Sequence, residues 1–585
     1  MPSRSSPKNN RPKGAASRMD ARAERNAADL RDRKSRARSI GALAFLCLLA
    51  ALLMPAVSAR AGAALPMFVS ADPQTRASQA SLPSDAVSIF KKKDGYYLFL
   101  PAGWDADRLT LLDAEGGALT IDGDAHEAGD TLSLTPGERY VMASGDTAWD
   151  VTVLQSALVP AVFIATDRQD ISAMLQDKTV REHGLCSILN ADGTLEYDGP
   201  LDYIRTRGNS THSYPKKPFQ IKLAKSTSLF GMEKSKKWVF LANYADKSLI
   251  RNTIALDLAR YADVYAYVPE TQAVDLFLNH QYYGSFLLTE KCEIASSRLD
   301  ISDLEERNES LNEGTYPAFG ASGYAPGAEK GVSLAEDPDD ITGGYLILAT
   351  IPRYFERETS GFVTDRGQSF TIDQPKEASP EEVAYIHGVM QRIEDALFSD
   401  DWGSDAAPRW ADMLDETTFI HRYILAEVLA DNDGSLPYFY KDADGNDPTV
   451  YCAPVWDQDN ILGANLTHAD PARSYIRNDE AEGAWFAEAM RHDAFAEKAA
   501  QIYRDTYEPA LQILLGERTD PYGCLRSIEE YGAEVAGTAA LDNVRWRIAA
   551  YRPKHFNMTG DTPEENIEFL RAYIAARKAF LDEEW

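Results

Sequence analysis

The sequence predicts an α+β protein in which a strand-rich part precedes a helix-rich part, with a small all-β domain and an N-terminal membrane or signal segment ahead of both. Three patterns predict this. Short apolar runs broken by turn residues fill 86–155 and recur from Val159 to about Ala349. Beyond Pro380 the apolar residues fall three or four apart, the spacing of helices with one buried face. Near the start, Ile40 to Ala59 runs 20 residues without a charge.

That run comes after a leader, 1–38, with twelve Lys or Arg (Arg4 to Arg38) against four acids. A basic flank before an apolar run marks the side that stays in the cytoplasm, so 39–61 reads as a signal peptide or a membrane anchor and the rest as lying outside. Pro55 and the small residues Val57-Ser-Ala59 fit cleavage, and the long leader fits an anchor. The formal charge of −30 for the whole chain becomes about −38 once the leader is set aside. Such a charge opposes nucleic-acid binding and suits solubility or the attraction of basic partners. Five scattered cysteines (Cys47, Cys186, Cys292, Cys452, Cys524) show no metal-site spacing.

Residues 62–85, rich in Ala, Ser, Pro and Gln without a sustained period, read as a flexible stalk. From 86 to 155, runs such as Tyr96-Tyr-Leu-Phe-Leu100 and Trp149-Asp-Val-Thr-Val153 between turns such as Asp94-Gly95 predict a small β-sandwich-like domain. A larger unit, 159–465, opens with more strands and carries a helix at Ser248 to Tyr261; within it 305–340 reads as a mobile insertion because Gly, Pro, Ser and acids break the pattern. Helices are expected at Glu381 to Leu397, Glu416 to Leu429, Ala481 to Tyr507 and Pro563 to Leu581, and 466–585 reads as a helical C-terminal extension.

Two places carry chemistry. In Arg205-Thr-Arg-Gly-Asn-Ser-Thr211 a glycine lets backbone amides approach an anion and Arg207 can fork onto phosphate oxygens, although a β-turn with solvated arginines has the same sequence. Gly208, Asn209 and Ser210 complete that loop. Lys222, on the following alternating strand, is the candidate phosphate-binding lysine, with Lys217 as its rival. Far downstream, Asp431-Asn-Asp-Gly434 ends an apolar helix, and 24 residues after Asp433 come Asp457 and Asp459 in Trp456-Asp-Gln-Asp-Asn460. Hard oxygen ligands at a helix end and a strand end suit one or two metal ions. A calcium loop starting at Asp431 is disfavoured because Asp442, not Glu, stands at its twelfth position.

Eight blocks occur in order: Arg205-Thr-Arg-Gly-Asn-Ser-Thr, Pro215-Lys-Lys-Pro-Phe, Leu229-Phe-Gly-Met, Trp238 through Asn252, Gly284 through Lys291, Gly343-Gly-Tyr-Leu, Asn432-Asp-Gly and Pro454-Val-Trp-Asp-Gln-Asp459. Over about Val159 to Gly463 the chain resembles the spore coat protein H (CotH) kinase family. The resemblance implies a divergent, atypical protein-kinase-like two-lobed fold and transfer of phosphate from ATP, with Mg2+ or Mn2+, to serines of proteins. It further implies that Asp433 and Asp457 hold the metal and support transfer, that Asn432 and Asp459 ligate or orient, that Trp456 lines the nucleotide pocket and that Glu290 orders the lysine. The His-Arg-Asp and Asp-Phe-Gly strings of ordinary kinases are absent.

Two functions are therefore expected to compete. One is a secreted or membrane-anchored Mg-ATP-dependent protein serine kinase at the bacterial cell surface, acting on a basic Ser-rich protein and touching the membrane only through its N-terminal segment. The other is a non-catalytic surface-binding protein or adhesin on the same fold.

Overall fold

Alternation in the strand segments resolves into three sets of sheets. The computed structural model describes residues 65–72, 83–113, 118–315, 318–319, 323–400, 402, 409–431, 433–434, 436–477, 484–551, 554–557 and 560–585. The leader and the apolar segment 39–61 lie outside these residues, and among the described residues no helix is long and apolar enough to cross a membrane. Part of the expected stalk does have structure: Met67–Ser70 is a strand with three of its four side chains buried, paired to Val87–Ser88 and Leu109–Asp113. Phe68 and Val69 are apolar and go inward, so the stalk reading fails for those residues.

Strands between 67 and 155 form a four-stranded and a six-stranded sheet. Close polar and aromatic contacts join them to later parts of the chain. Ser88 N donates to His280 O at 2.7 Å, Ser84 and Ser187 share a hydroxyl hydrogen bond of 2.5 Å, and the Phe99 and Tyr282 rings stack at 4.7 Å. Phe90 also lies under the Arg545 guanidinium at 3.9 Å, which links these sheets to a C-terminal helix.

Seven strands from Ala161–Thr166 to Gln281–Glu290 close a barrel, sealed where Ala161–Thr166 pairs parallel with Thr271–Leu278. Period-two alternation decides what each side chain does. On Phe219–Thr227, the residues Phe219, Ile221 and Leu223 fill the barrel with Ile204, Trp238, Phe240, Leu276 and Phe286. Gln220 and Lys222 therefore face outward.

A six-stranded sheet running from Glu329–Lys330 to Val450–Tyr451 meets the helices over the largest core. Helices form at Pro380–Leu397, Glu416–Leu429 and Pro563–Glu584, close to the apolar spacing read from sequence. Ser379 and Thr562 each cap a helix that starts with proline, and Glu382 and Glu565 return the bond to complete a capping box. In Glu416–Leu429 every residue from Thr418 onward is buried, so this helix forms the centre of that core. The segment expected as one helix over 481–507 is broken into Trp485–Ala489, Asp493–Ile502 and a wider turn at Tyr503–Tyr507. Ile528–Trp546 is a further 19-residue helix that period counting passes over, because Gly532 and several alanines blur its apolar face. Gly532 lets the two helices pack closely, since a Cβ there would lie a tight 3.1 Å from the Ile567 side chain of the neighbouring helix. Cys186, Cys292, Cys452 and Cys524 are all free.

Where Ile528–Trp546 crosses the barrel, Asp275 is fully buried and accepts hydrogen bonds from Tyr282 Oη at 2.9 Å and Thr538 Oγ1 at 2.5 Å. Burial pushes its carboxyl up to about 6, so folding favours the protonated form. That contribution to stability is complete below the unfolded value near 4 and is lost as pH rises through 6. Denaturant unfolding of Asp275→Asn against wild type should show the variant gaining about 2 kcal/mol relative to wild type between pH 4.5 and 7.5. An unchanged difference across that range contradicts the assignment.

Candidate functional site

The glycine loop begins where Leu195–Thr206 leaves the barrel. Arg207 N donates to Pro218 O at 3.1 Å, which keeps the hairpin closed around the loop. Gly208 has φ +90°, and a Cβ there would sit 2.2 Å from Thr211 Oγ1, so this turn requires glycine. Asn209 and Ser210 are exposed beyond it. The Arg207 guanidinium lies over the Trp456 ring at 5.6 Å, and that indole packs on Val239, Leu241 and Leu287 of the outer barrel wall. Burial weakens the hold of Arg207 on its proton, and the charge of Asp457 is the first to oppose this, with Tyr438 and Asp373 after it.

Asp457 is thus the acid that faces Arg207. Its backbone is left-handed at φ +61°, which re-aims the chain after Trp456. The side chain is reached by solvent, yet burial still raises its pKa; Arg207 lowers it and Asp431 raises it. Its carboxylate is therefore open to solvent while it lies among charged groups from the barrel and from the helix end. Asp459 is half-buried and held well above the usual carboxylate range by burial, then by Asp457, Asp246 and Asp433 in turn. The acids of 431–433 and 457–459 therefore converge, as their positions at a helix end and a strand end suggest.

A relay of buried polar groups brings them together. Asp246 pairs with Arg251 Nη1 at 2.5 Å and accepts from Ser248 N and Arg251 N at 2.9 Å each. Arg251 reaches across to the acidic segment, with Nε donating to Ile461 O at 2.9 Å and Nη2 to Leu462 O at 3.3 Å. The next residue, Asn252, accepts Gln458 N at 2.8 Å. Gln458 Nε2 then donates to Asp431 Oδ2 at 3.2 Å, an oxygen shared with Arg422 Nη2 at 3.3 Å. Finally Asp431 Oδ1 accepts Asp433 N at 3.0 Å.

Other expected residues fall elsewhere. Lys222 lies on the outer wall 3.7 Å from Asp202 Oδ2, opposite Tyr203 and Lys237 in the sheet. It is not brought to the acids. Lys217 Nζ donates to His212 O. Glu290 pairs with Arg298 at 2.7 Å under the Trp238 ring, so it orders that arginine and not Lys222. Alternation explains the difference: Glu290 pairs with the inward Trp238, whereas Lys222 points out. Asn432 lies outside the described residues. Sequence reasoning missed Asp246, Arg251, Asn252, Gln458 and Arg422, and also Asp373, whose Oδ2 accepts Tyr438 Oη at 3.1 Å near Arg207. The available signal was the density of polar side chains in Asn243 to Asn252, a stretch buried throughout.

Among the described residues no three His, Cys, Asp or Glu side chains form a ready metal cage. Magnesium needs less than that, since one or two carboxylates plus substrate phosphates and water complete its shell. Asp457 and Asp459 press their charges together, and next to them Asn460 Oδ1 is buried without a hydrogen-bond partner among the described residues. This oxygen-donor set fits a hard divalent cation.

The family model described as CotH kinase protein matches residues 204–581, from the end of the strand that delivers Arg207 to the last helix. A search of curated proteins finds no match.

Crowded acids should cost stability when no cation is present. In chelator-treated protein at pH 7.5, Asp459→Asn should melt about 2 °C or more above wild type, because it removes a charge that burial and three neighbouring acids disfavour. A lower melting temperature would show that the carboxylate stabilises the fold.

Proposed function

Since the chain belongs to the CotH kinase protein family, we propose that it transfers the γ-phosphoryl group of Mg-ATP to serine hydroxyls of proteins outside the cytoplasm. The observation that carries this reading is the facing of Arg207, from a glycine turn on the barrel, with Asp457, from the acidic segment on the other side of the cleft. One side supplies a cation and backbone amides for phosphate, and the other supplies carboxylates for the metal that phosphate brings.

Roles follow from environment. Asp457 and Asp459, whose charges burial penalises, gain most from a cation and are assigned to hold it, with Asn460 beside them. Bound there, Mg2+ or Mn2+ neutralises charge on the phosphates. Arg207 orients the phosphates, and Trp456 on its aliphatic bed offers a flat wall to the base. Asp433, held by its backbone to Asp431, is assigned to orient the serine hydroxyl and take its proton as the γ-phosphoryl group leaves ADP. Lys222 has no part in this scheme. The barrel and the helical half would act as the two lobes of a kinase-like arrangement. The basic leader and uncharged run support placement outside the cell, and the charge of about −38 beyond the leader supports a basic, Ser-rich protein substrate.

The test is incubation of the full chain with γ-labelled ATP, Mg2+ or Mn2+ and a basic Ser-rich protein, with phosphosite mapping of the product. Wild type should label serines. Asp457→Asn and Asp433→Asn should each lose about 100-fold or more in rate while melting within a few degrees of wild type. Nucleotide binding without any transfer would favour the non-catalytic surface-binding protein, and full activity in either variant would overturn the residue roles.

A further inference from the structure

Within the segment expected to be a loose insertion, 305–340, the described residues near its two ends are tied together through one short helix. Leu304–Leu311 starts at Asp303, whose Oδ1 accepts Glu306 N at 2.8 Å. Just past its end, Asn312 Oδ1 accepts the amides of Ala335 at 2.8 Å and Glu336 at 3.1 Å, and Asn312 Nδ2 donates to Glu336 O at 2.9 Å. One turn earlier, Asn308 Nδ2 donates to Glu382 Oε2 at 3.0 Å, in the first turn of Pro380–Leu397. Asp337, the residue after Glu336, is thereby brought beside Glu382, and the two charges act on each other and both on Tyr345.

Three oxygens of this region have no hydrogen-bond partner among the described residues. Asn308 Oδ1, Asp337 Oδ1 and Glu382 Oε1 are each shut off from solvent and accept no hydrogen bond. Asn308 is 5% exposed and Glu382 0%. The nearby Arg307 spends its guanidinium on backbone carbonyls, donating to Asp303 O at 3.3 Å and Asp340 O at 2.9 Å, and neither carboxylate has a salt-bridge partner among the described residues. Glu382 Oε2 is held by Ser379 N and Asn308 Nδ2, but its other oxygen is enclosed with no donor, and a buried acceptor left unsatisfied costs about 1–3 kcal/mol. Every one of the three atoms is an acceptor when the acids are ionised, so only donors or a cation can satisfy them. A water has two hydrogens for three oxygens and brings no charge. A divalent cation satisfies all three and both charges.

We infer that Asn308, Asp337 and Glu382 form a second cation site, apart from the Asp457 cleft, in which Ca2+ fastens 335–337 to the start of the helix Pro380–Leu397. Two carboxylates and an amide carbonyl are hard ligands of the calcium type, with water or backbone carbonyls completing a shell that calcium accepts in irregular geometry.

Calorimetric titration of CaCl2 into the metal-stripped full chain tests this, in an Asp457→Asn/Asp459→Asn background that removes the acidic cleft. Calcium should bind once per chain and raise the melting temperature by mass action. Adding Glu382→Gln, which keeps an N3 side chain able to complete the capping box, or the half-exposed Asp337→Asn should weaken calcium binding at least about tenfold, with Asp337→Asn deciding if Glu382→Gln does not fold. Absence of calcium binding in the background protein, or unchanged affinity after the added substitutions, overturns the site. A Glu382→Gln protein that melts higher while calcium has no effect on its parent identifies a buried carboxyl that is protonated instead of metal-bound, and overturns it equally.

Discussion

Everything at the cleft depends on one buried arginine. Arg251, 1% exposed, sits at the start of the helix Arg251–Ala262, pairs with Asp246 on the barrel side and holds the carbonyls of Ile461 and Leu462 on the acidic side. A guanidinium can make such a bridge because its donors spread in a rigid plane, and it stays charged without solvent. Breaking one partner of a buried pair costs about 3–5 kcal/mol, since the other charge is left without compensation. The pair therefore fixes the distance between two sequence regions more than 200 residues apart. Asn252 and Gln458 continue the connection to Asp431, and Gln458 also holds Trp456 O at 3.0 Å.

That fixed distance has an electrostatic result. Left to repel one another, Asp246, Asp431, Asp433, Asp457 and Asp459 would separate, but backbone bonds at Ile461, Leu462 and Gln458 prevent it. Asp457 and Asp459 consequently sit in a field that favours protonation or a cation, and Arg207 is the basic group set against Asp457. Cost of this kind is typical of sites arranged for a charged ligand and not for stability. The glycine turn at Gly208 and the left-handed Asp457 are its backbone counterparts, each a conformation that the flanking strands and hydrogen bonds hold in place.

How much of this the sequence disclosed depended on the range of the interaction involved. Alternation at Phe219 to Leu223 and the helical spacing of Glu416 to Leu429 are local patterns that burial imposes, and both were legible. The approach of Asp433 and Asp457 to Asp459 has a one-dimensional signal too, since ligand-type residues at element ends are visible in sequence. Lys222 misled for the same reason that it attracted notice. Its place on a strand beside the loop was right, but the barrel closes so that this row faces Asp202 and Lys237. Asp246, Arg251 and Gln458 were invisible as a set, since nothing local says that a polar stretch after one strand will meet a turn some 200 residues later. Met67–Ser70, Leu304–Leu311 and 335–336 lie in stretches that read as loose by composition, and each is held by partners distant in sequence.

The central claim is that phosphate binds between the Arg207 turn and the Asp457 segment. Hydrogen–deuterium exchange of the full chain, with and without saturating Mg-ATP, reads both sides at once. Amides of 206–210 and 456–460 should slow together, while those of the strand Phe219–Thr227 around Lys222 stay unchanged. Protection of that strand alone, or of neither segment, would contradict the account.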